Sequence, residues 1–112
     1  MNVLSTTEAL DLLNERLQRP LSRQLFWYSI LPELLESGYA RRISAKAVAI
    51  DGEAWRWWCG YIAFRERKID AGKWSSSRPY SAVEAECWRD GVYDDDPLSL
   101  ENPWDGSEEG KE

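Results

Sequence analysis

No histidine occurs in the sequence, and its two cysteines, Cys59 and Cys87, lie 28 positions apart without a partner motif. That removes most zinc sites, the usual general base and every triad that needs an imidazole. No nucleophile, base and oxyanion donor can be assembled from the remaining spacings, so catalysis is not expected and no cofactor is implied. Asp94, Asp95 and Asp96 are carboxylates in a row, but consecutive positions in a segment broken by Pro and Gly read as solvated charge, not as metal ligands. What the residue types do offer is recognition. Arg23 and Gln24 are neighbours, and the guanidinium pairs bidentately with guanine as the amide does with adenine. Trp27 and Tyr28 follow on the same side. Arg41, Arg42 and Lys46 cluster around one turn, where three cations suit phosphate. Trp57, Tyr61 and Phe64 form an aromatic set at helical spacing. The plainer readings are a solvated helix face for the first group and solubilisation of an edge hairpin for the second.

These residues need particular elements to hold them. Ser5-Thr6-Thr7-Glu8 is a capping box, so a helix should start there, with Ala9, Leu10, Leu12, Leu13 and Leu17 on one arc and an end before Pro20. Arg19-Pro20-Leu21-Ser22 breaks that helix and offers Ser22 as the next N-cap. In a second helix over about residues 23–31, a rotation of roughly 100° per residue puts Leu25, Phe26, Ser29 and Ile30 on one side. Arg23, Gln24, Trp27, Tyr28 and Leu31 fall on the other. Pro32 to Gly38 reads as a further helical turn opened by proline and closed by a glycine C-cap. Tyr39–Ile43 and Ala47–Ile50, joined by Ser44-Ala45-Lys46, read as a two-stranded hairpin with its cations at the tip.

Asp51 should cap a long helix running to about Lys68. On it Trp55, Trp58, Cys59 and Ile62 form one apolar stripe, expected to pack on Leu12, Leu13 and Leu25. Trp57, Tyr61 and Phe64 form a second on nearly the opposite side. A helix apolar on two faces must be covered twice. The second cover is expected to be the C-terminal segment folding back through Trp74, Tyr80 or Trp88, a second copy of the chain, or another protein. After Asp70 a connector, Ala-Gly-Lys-Trp-Ser-Ser-Ser-Arg-Pro, leads to a second capping box at Ser81 to Glu84 and a short helix over 81–89. From Asp94 onward the chain is acidic and expected to lack fixed secondary structure in isolation.

A length of 112 residues suits one small fold plus a tail. The formal charge is −6, but it is unevenly placed. Residues 1–70 carry ten Lys/Arg against nine Asp/Glu, a net +1, whereas residues 71–112 carry four against eleven, a net −7. Partner choice follows local potential, so an acidic tail can coexist with a basic face. The longest apolar runs are cut by Arg23, Glu33 or Arg56, which excludes a membrane span and leaves no membrane partner expected. With no signal-peptide pattern at its start, the chain is expected in a reducing cytoplasm with both thiols free.

The order helix, turn, helix, glycine-ended turn, basic hairpin, helix resembles the winged helix-turn-helix of the MerR and excisionase-like families. The resemblance is carried by Leu4 to Ala9 with Leu12-Leu13, by Ser22 to Tyr28, by Leu34 to Arg42 and by Ala49 to Trp55, covering residues 4 to about 65. It implies a mainly α fold with a small β-hairpin wing in residues 1–70, followed by an acidic, aromatic-containing segment over 71–112. In that fold the second helix enters the major groove and the wing lies against the sugar-phosphate backbone. Carried over, Arg23, Gln24, Trp27 and Tyr28 would face the groove, with Arg19 beside them, and Arg41, Arg42 and Lys46 would be the wing contacts. The sequence departs from the family in a longer segment between the first two helices and in the bulk of Trp27.

Two functions follow as expectations. The first is a small double-stranded-DNA-binding protein, a transcription regulator or a recombination or architectural factor of a phage or mobile element. The second is a protein-interaction module, an inhibitor or adaptor in homodimeric or heteromeric contact through Trp57, Tyr61 and Phe64. Its acidic tail, Asp94 to Asp96 and Glu108 to Glu109, would imitate a line of phosphates.

Overall fold

The computed structural model of the chain describes residues 2–93. Its elements run β1 (Val3–Leu4), α1 (Thr6–Asn14), α2 (Arg23–Leu25), a π-helical turn (Phe26–Ile30), α3 (Leu31–Ser37), β2 (Ala40–Arg42), β3 (Val48–Asp51), α4 (Gly52–Asp70) and α5 (Ala82–Arg89). These residues are mostly helical, with one small three-stranded antiparallel sheet.

The capping box at Ser5 is complete. Its N–H donates to Glu8 Oε1 at 2.9 Å, and the Glu8 N–H donates to Ser5 Oγ at 3.1 Å. The helix it starts ends at Asn14, earlier than the apolar period implied. Ala9 and Leu13 are fully buried and Leu17 is half-buried, but Leu12 is exposed. The expected contact of Leu12 with the α4 tryptophans therefore gives way to Ala9 and Leu13.

Ser22 caps α2, its Oγ accepting from the Leu25 N–H at 3.0 Å. The expected stop ahead of Pro32 is absent, because α2, the π turn and α3 form one continuous run. Pro32 cannot donate to the preceding turn, and its ring would crowd a regular helix. The π turn just ahead of it loosens the ladder at that point. Leu31 N–H bonds to the Phe26 carbonyl, five residues back, which brings Leu31 over Phe26. Both side chains are buried, so Leu31 belongs to the core and not to the outward arc on which a regular helix would place it. Gly38, at φ 90°, ends the run in the left-handed conformation that glycine adopts at least cost.

The hairpin forms over a slightly shorter span than its sequence indicates, with β2 and β3 antiparallel and Arg41 opposite Ala49. The strand β1, not read from the sequence, pairs with the other edge of β3 through Val3 opposite Asp51 and Leu4 opposite Ile50. The central strand carries Val48 and Ile50 onto the helices, flanked by Ala40 of β2 and Leu4 of β1. Asp51 then caps α4, accepting from the Glu53 N–H at 3.1 Å.

The core is built on α4. Trp55, Trp58, Cys59 and Ile62 are buried as one stripe, with Phe26 meeting Trp55 edge-on at 5.7 Å between ring centroids. The Trp55 indole N–H donates to the Ala9 carbonyl at 2.8 Å, so the ring is buried with its polar handle satisfied. Tyr80, Ala82 and Ala85, from the chain beyond α4, join the same buried cluster. Among the described residues no helix is long and apolar enough to cross a membrane.

Candidate nucleic-acid interface

Each recognition group is set by the elements just described. The start of α2 is fixed from two sides. Asn14 reaches across the preceding loop, donating from Nδ2 to the Leu21 carbonyl at 3.2 Å and accepting from the Leu21 N–H at 2.9 Å. Arg23 donates to Thr7 Oγ1 on α1 at 3.3 Å, which ties the first turns of the two helices together. Arg23, Gln24 and Tyr28 are exposed, Tyr28 at 76%. A phenol so open on a helix otherwise packed into the core is available for contact.

Two of the expected helix contacts are placed differently. Trp27 is half-buried and packs against the core cluster, because the helix run continues past it and needs cover on that side. Its indole supports the helix from behind instead of leading it outward. Arg19 donates to Asp70 at 2.5 Å and lies 3.7 Å from Glu66, which joins the loop to the last turns of α4. These carboxylates hold its guanidinium pKa above the ordinary value, with the Asp70 hydrogen bond as the largest cause. Most of its charge is thus answered within the chain.

The hairpin differs. Arg41, Arg42 and Lys46 are all exposed, and among the described residues their side chains make no hydrogen bond or ion pair. By contrast Arg65, Arg78 and Arg89 are each held to a neighbouring carboxylate. Ile43 beside them is exposed at 66%, as expected where a hairpin tip projects beyond the core.

The aromatic set is covered by its own chain. Tyr61 and Phe64 are fully buried, and groups from the segment after α4 supply cover, one of the three covers expected for the set of Trp57, Tyr61 and Phe64. Tyr61 donates its hydroxyl proton to Glu84 Oε1 on α5 at 2.7 Å, and Arg78 grips the other oxygen of that carboxylate at 2.8 Å from Nε. Burial first, and the Glu84 hydrogen bond second, hold the Tyr61 phenol pKa far above its usual range. Phe64 is enclosed by Trp74 at 5.5 Å and Tyr93 at 5.3 Å. Trp57 is half-buried between Tyr39, edge-on at 5.2 Å, and the Arg89 guanidinium, 4.6 Å above its ring. The connector itself is fastened by Arg65, which is buried, stacks 3.9 Å over the Tyr80 ring and donates to the Arg78 carbonyl.

Ser81 shows why only half of the second capping box forms. Its Oγ accepts from the Glu84 N–H at 3.3 Å, but the Glu84 carboxylate is engaged by Tyr61 and Arg78 and does not return to Ser81. The first turn of α5 instead gains a carboxylate from elsewhere, because Glu33 Oε1 on α3 accepts from the Ala82 N–H at 2.9 Å. No sequence spacing announces such a pair, since the two residues are far apart in the chain.

No protein-family model, curated protein or solved structure matches the chain. The functional reading therefore rests on the residues themselves. An open cleft of about 600 Å³ lies between the helix run and the connector, bordered by Tyr28, Ser29, Pro32, Arg65, Ser76 and Tyr80. The acidic groups Asp94 to Asp96 and Glu108 to Glu109 lie outside the described residues.

Proposed function

We propose that this chain is a small DNA-binding protein of winged helix-turn-helix type, a regulator or a recombination or architectural factor. In this reading the exposed side of α2 and the π turn that continues it, with Arg23, Gln24 and Tyr28, enters the major groove. The β2–β3 hairpin lies along the backbone as the wing. The observation that carries the reading is the hairpin: three exposed cations grouped around one turn, without partners among the described residues, whereas Arg19 and Arg78 are answered by carboxylates of the chain. Phosphate oxygens would complete them, and each such contact displaces a condensed counterion. The clamp at Asn14 and Leu21 supports the reading further, since base contact requires a helix held in a fixed attitude.

The experiment is site selection from a random duplex library with the full chain, followed by anisotropy titration of the selected and a scrambled duplex at low salt. A salt-sensitive complex that discriminates between the two is expected. Arg23→Ala and Gln24→Ala should each lessen discrimination by roughly 1–3 kcal/mol, the worth of a bidentate base contact, without unfolding the chain. Absence of any complex at low salt would end this proposal.

A further inference from the structure

The uncommitted cations of the hairpin have a counterpart in the same chain. Residues 94–112 carry eight Asp/Glu against Lys111 alone, a net −7, whereas residues 1–93 carry thirteen Lys/Arg against twelve Asp/Glu, a net +1. We propose that segment 94–112 docks by charge on Arg41, Arg42 and Lys46 and occupies the hairpin until duplex DNA displaces it. The docking stands on charge and geometry; the displacement rests on the DNA-binding reading above.

The geometry favours this occupant. Tyr39, the residue before β2, donates its hydroxyl proton to Glu86 on α5 at 2.7 Å, so α5 is fastened to the root of the hairpin. The described chain ends shortly after, where Tyr93 lies against Phe64 and Trp74. Nineteen further residues reach at most roughly 60 Å when extended, and the longest dimension of the molecule is 48 Å. Reach does not limit the contact. A tethered segment also acts at an effective concentration of order millimolar, well above any free competitor of similar charge. Exposed ion pairs are individually weak and screened beyond about 10 Å at 0.1 M salt, so a contact of this kind yields readily. A polyanion of higher charge density can therefore replace it.

The test treats the full chain at low salt with a water-soluble carbodiimide, which joins a carboxylate to an amine in contact with it, and maps the products by mass spectrometry. The expected product links Lys46 to a carboxylate within 94–112 of the same molecule, and disappears at high salt and when a duplex is added. Lys46→Arg should abolish the product, because a guanidinium does not form the amide, while far-UV circular dichroism shows the chain still folded. A full-chain variant with Asp94, Asp95 and Asp96 changed to Asn and Glu108 and Glu109 to Gln should bind duplex about tenfold more tightly at low salt, the advantage fading as salt rises. Absence of the Lys46 product, its appearance only between isotopically distinct molecules, or links solely to Lys68 or Lys73 would overturn the docking. A Lys46 product that survives duplex in excess would leave the docking standing and count against the hairpin as the DNA site.

Discussion

Asn14 and Leu21 hold each other by two hydrogen bonds, side-chain amide to backbone in both directions, across the loop that separates α1 from α2. The loop between these helices is long, and this pair gives it a fixed closure. Asn14→Ala should destabilise the fold by about 1–3 kcal/mol, because the Leu21 groups are half-buried and lose their partners. Asn14→Asp keeps the acceptor and should recover part of the loss. Denaturant unfolding of the three proteins checks this, and equal stability of wild type and Asn14→Ala would mean that water replaces the clamp at no cost.

How far the sequence reveals the fold is visible at that same residue. Signals that act within a few positions were legible: the Ser5 box, the Ser22, Asp51 and Ser81 caps, the Gly38 stop and the hairpin all appear where local chemistry puts them. The role of Asn14 has no local signal, since its partner is a backbone group across a loop. The run through Pro32 was hidden because a π turn has no composition of its own. The exposed Arg23, Gln24, Tyr28, Arg41, Arg42 and Lys46 were all named from the sequence. Arg19 and Trp27 were not separable from them, since what occupies their side chains comes from α4 and the core.

Gly60 and Trp88 form a second long-range relationship. A Cβ on Gly60 would lie 2.3 Å from Trp88 Cη2, so the indole of α5 rests on the bare backbone of α4. Gly60→Ala should destabilise by about 1–3 kcal/mol through overpacking, although alanine is the better helix former by about 1 kcal/mol. In a Trp88→Ala background the same change should become neutral or stabilising. This double-mutant cycle isolates the contact, and additive effects would show that the two residues do not meet.

Tyr61 and Tyr39 make the fold sensitive to alkali. Burial, then the Glu84 hydrogen bond, raises the Tyr61 phenol, and the Glu86 hydrogen bond, then burial, raises Tyr39. A phenol whose pKa is higher folded than unfolded contributes stability that is fully present below the unfolded value, near 10, and lost as pH rises through the folded one. Unfolding free energy should therefore decline above about pH 10. Tyr61→Phe should lower stability at neutral pH by roughly 1–2 kcal/mol and flatten the alkaline decline. A decline unchanged in Tyr61→Phe would assign it to other groups.

Cys59 and Cys87 should differ in reactivity. Burial pushes the Cys59 thiol pKa up to about 12, whereas Cys87 is partly exposed. The folded protein should take up one equivalent of a small alkylating reagent near pH 8, at Cys87, and a second only on unfolding. Peptide mapping reads the site directly, and rapid labelling of Cys59 in the folded chain would mean that α4 is less well covered than its packing indicates.

The central claim is that the β2–β3 hairpin lies on the phosphate backbone through Arg41, Arg42 and Lys46, and the salt dependence of binding tests it most directly. The full-length wild type and the Arg41→Ala, Arg42→Ala, Lys46→Ala triple variant are titrated against one duplex over a range of salt concentrations. The slope of log affinity against log salt should become shallower by about one unit for each lost contact, roughly three in all, with the loss of affinity similar for selected and scrambled sequences. A triple variant that is folded and keeps the wild-type slope would contradict the account.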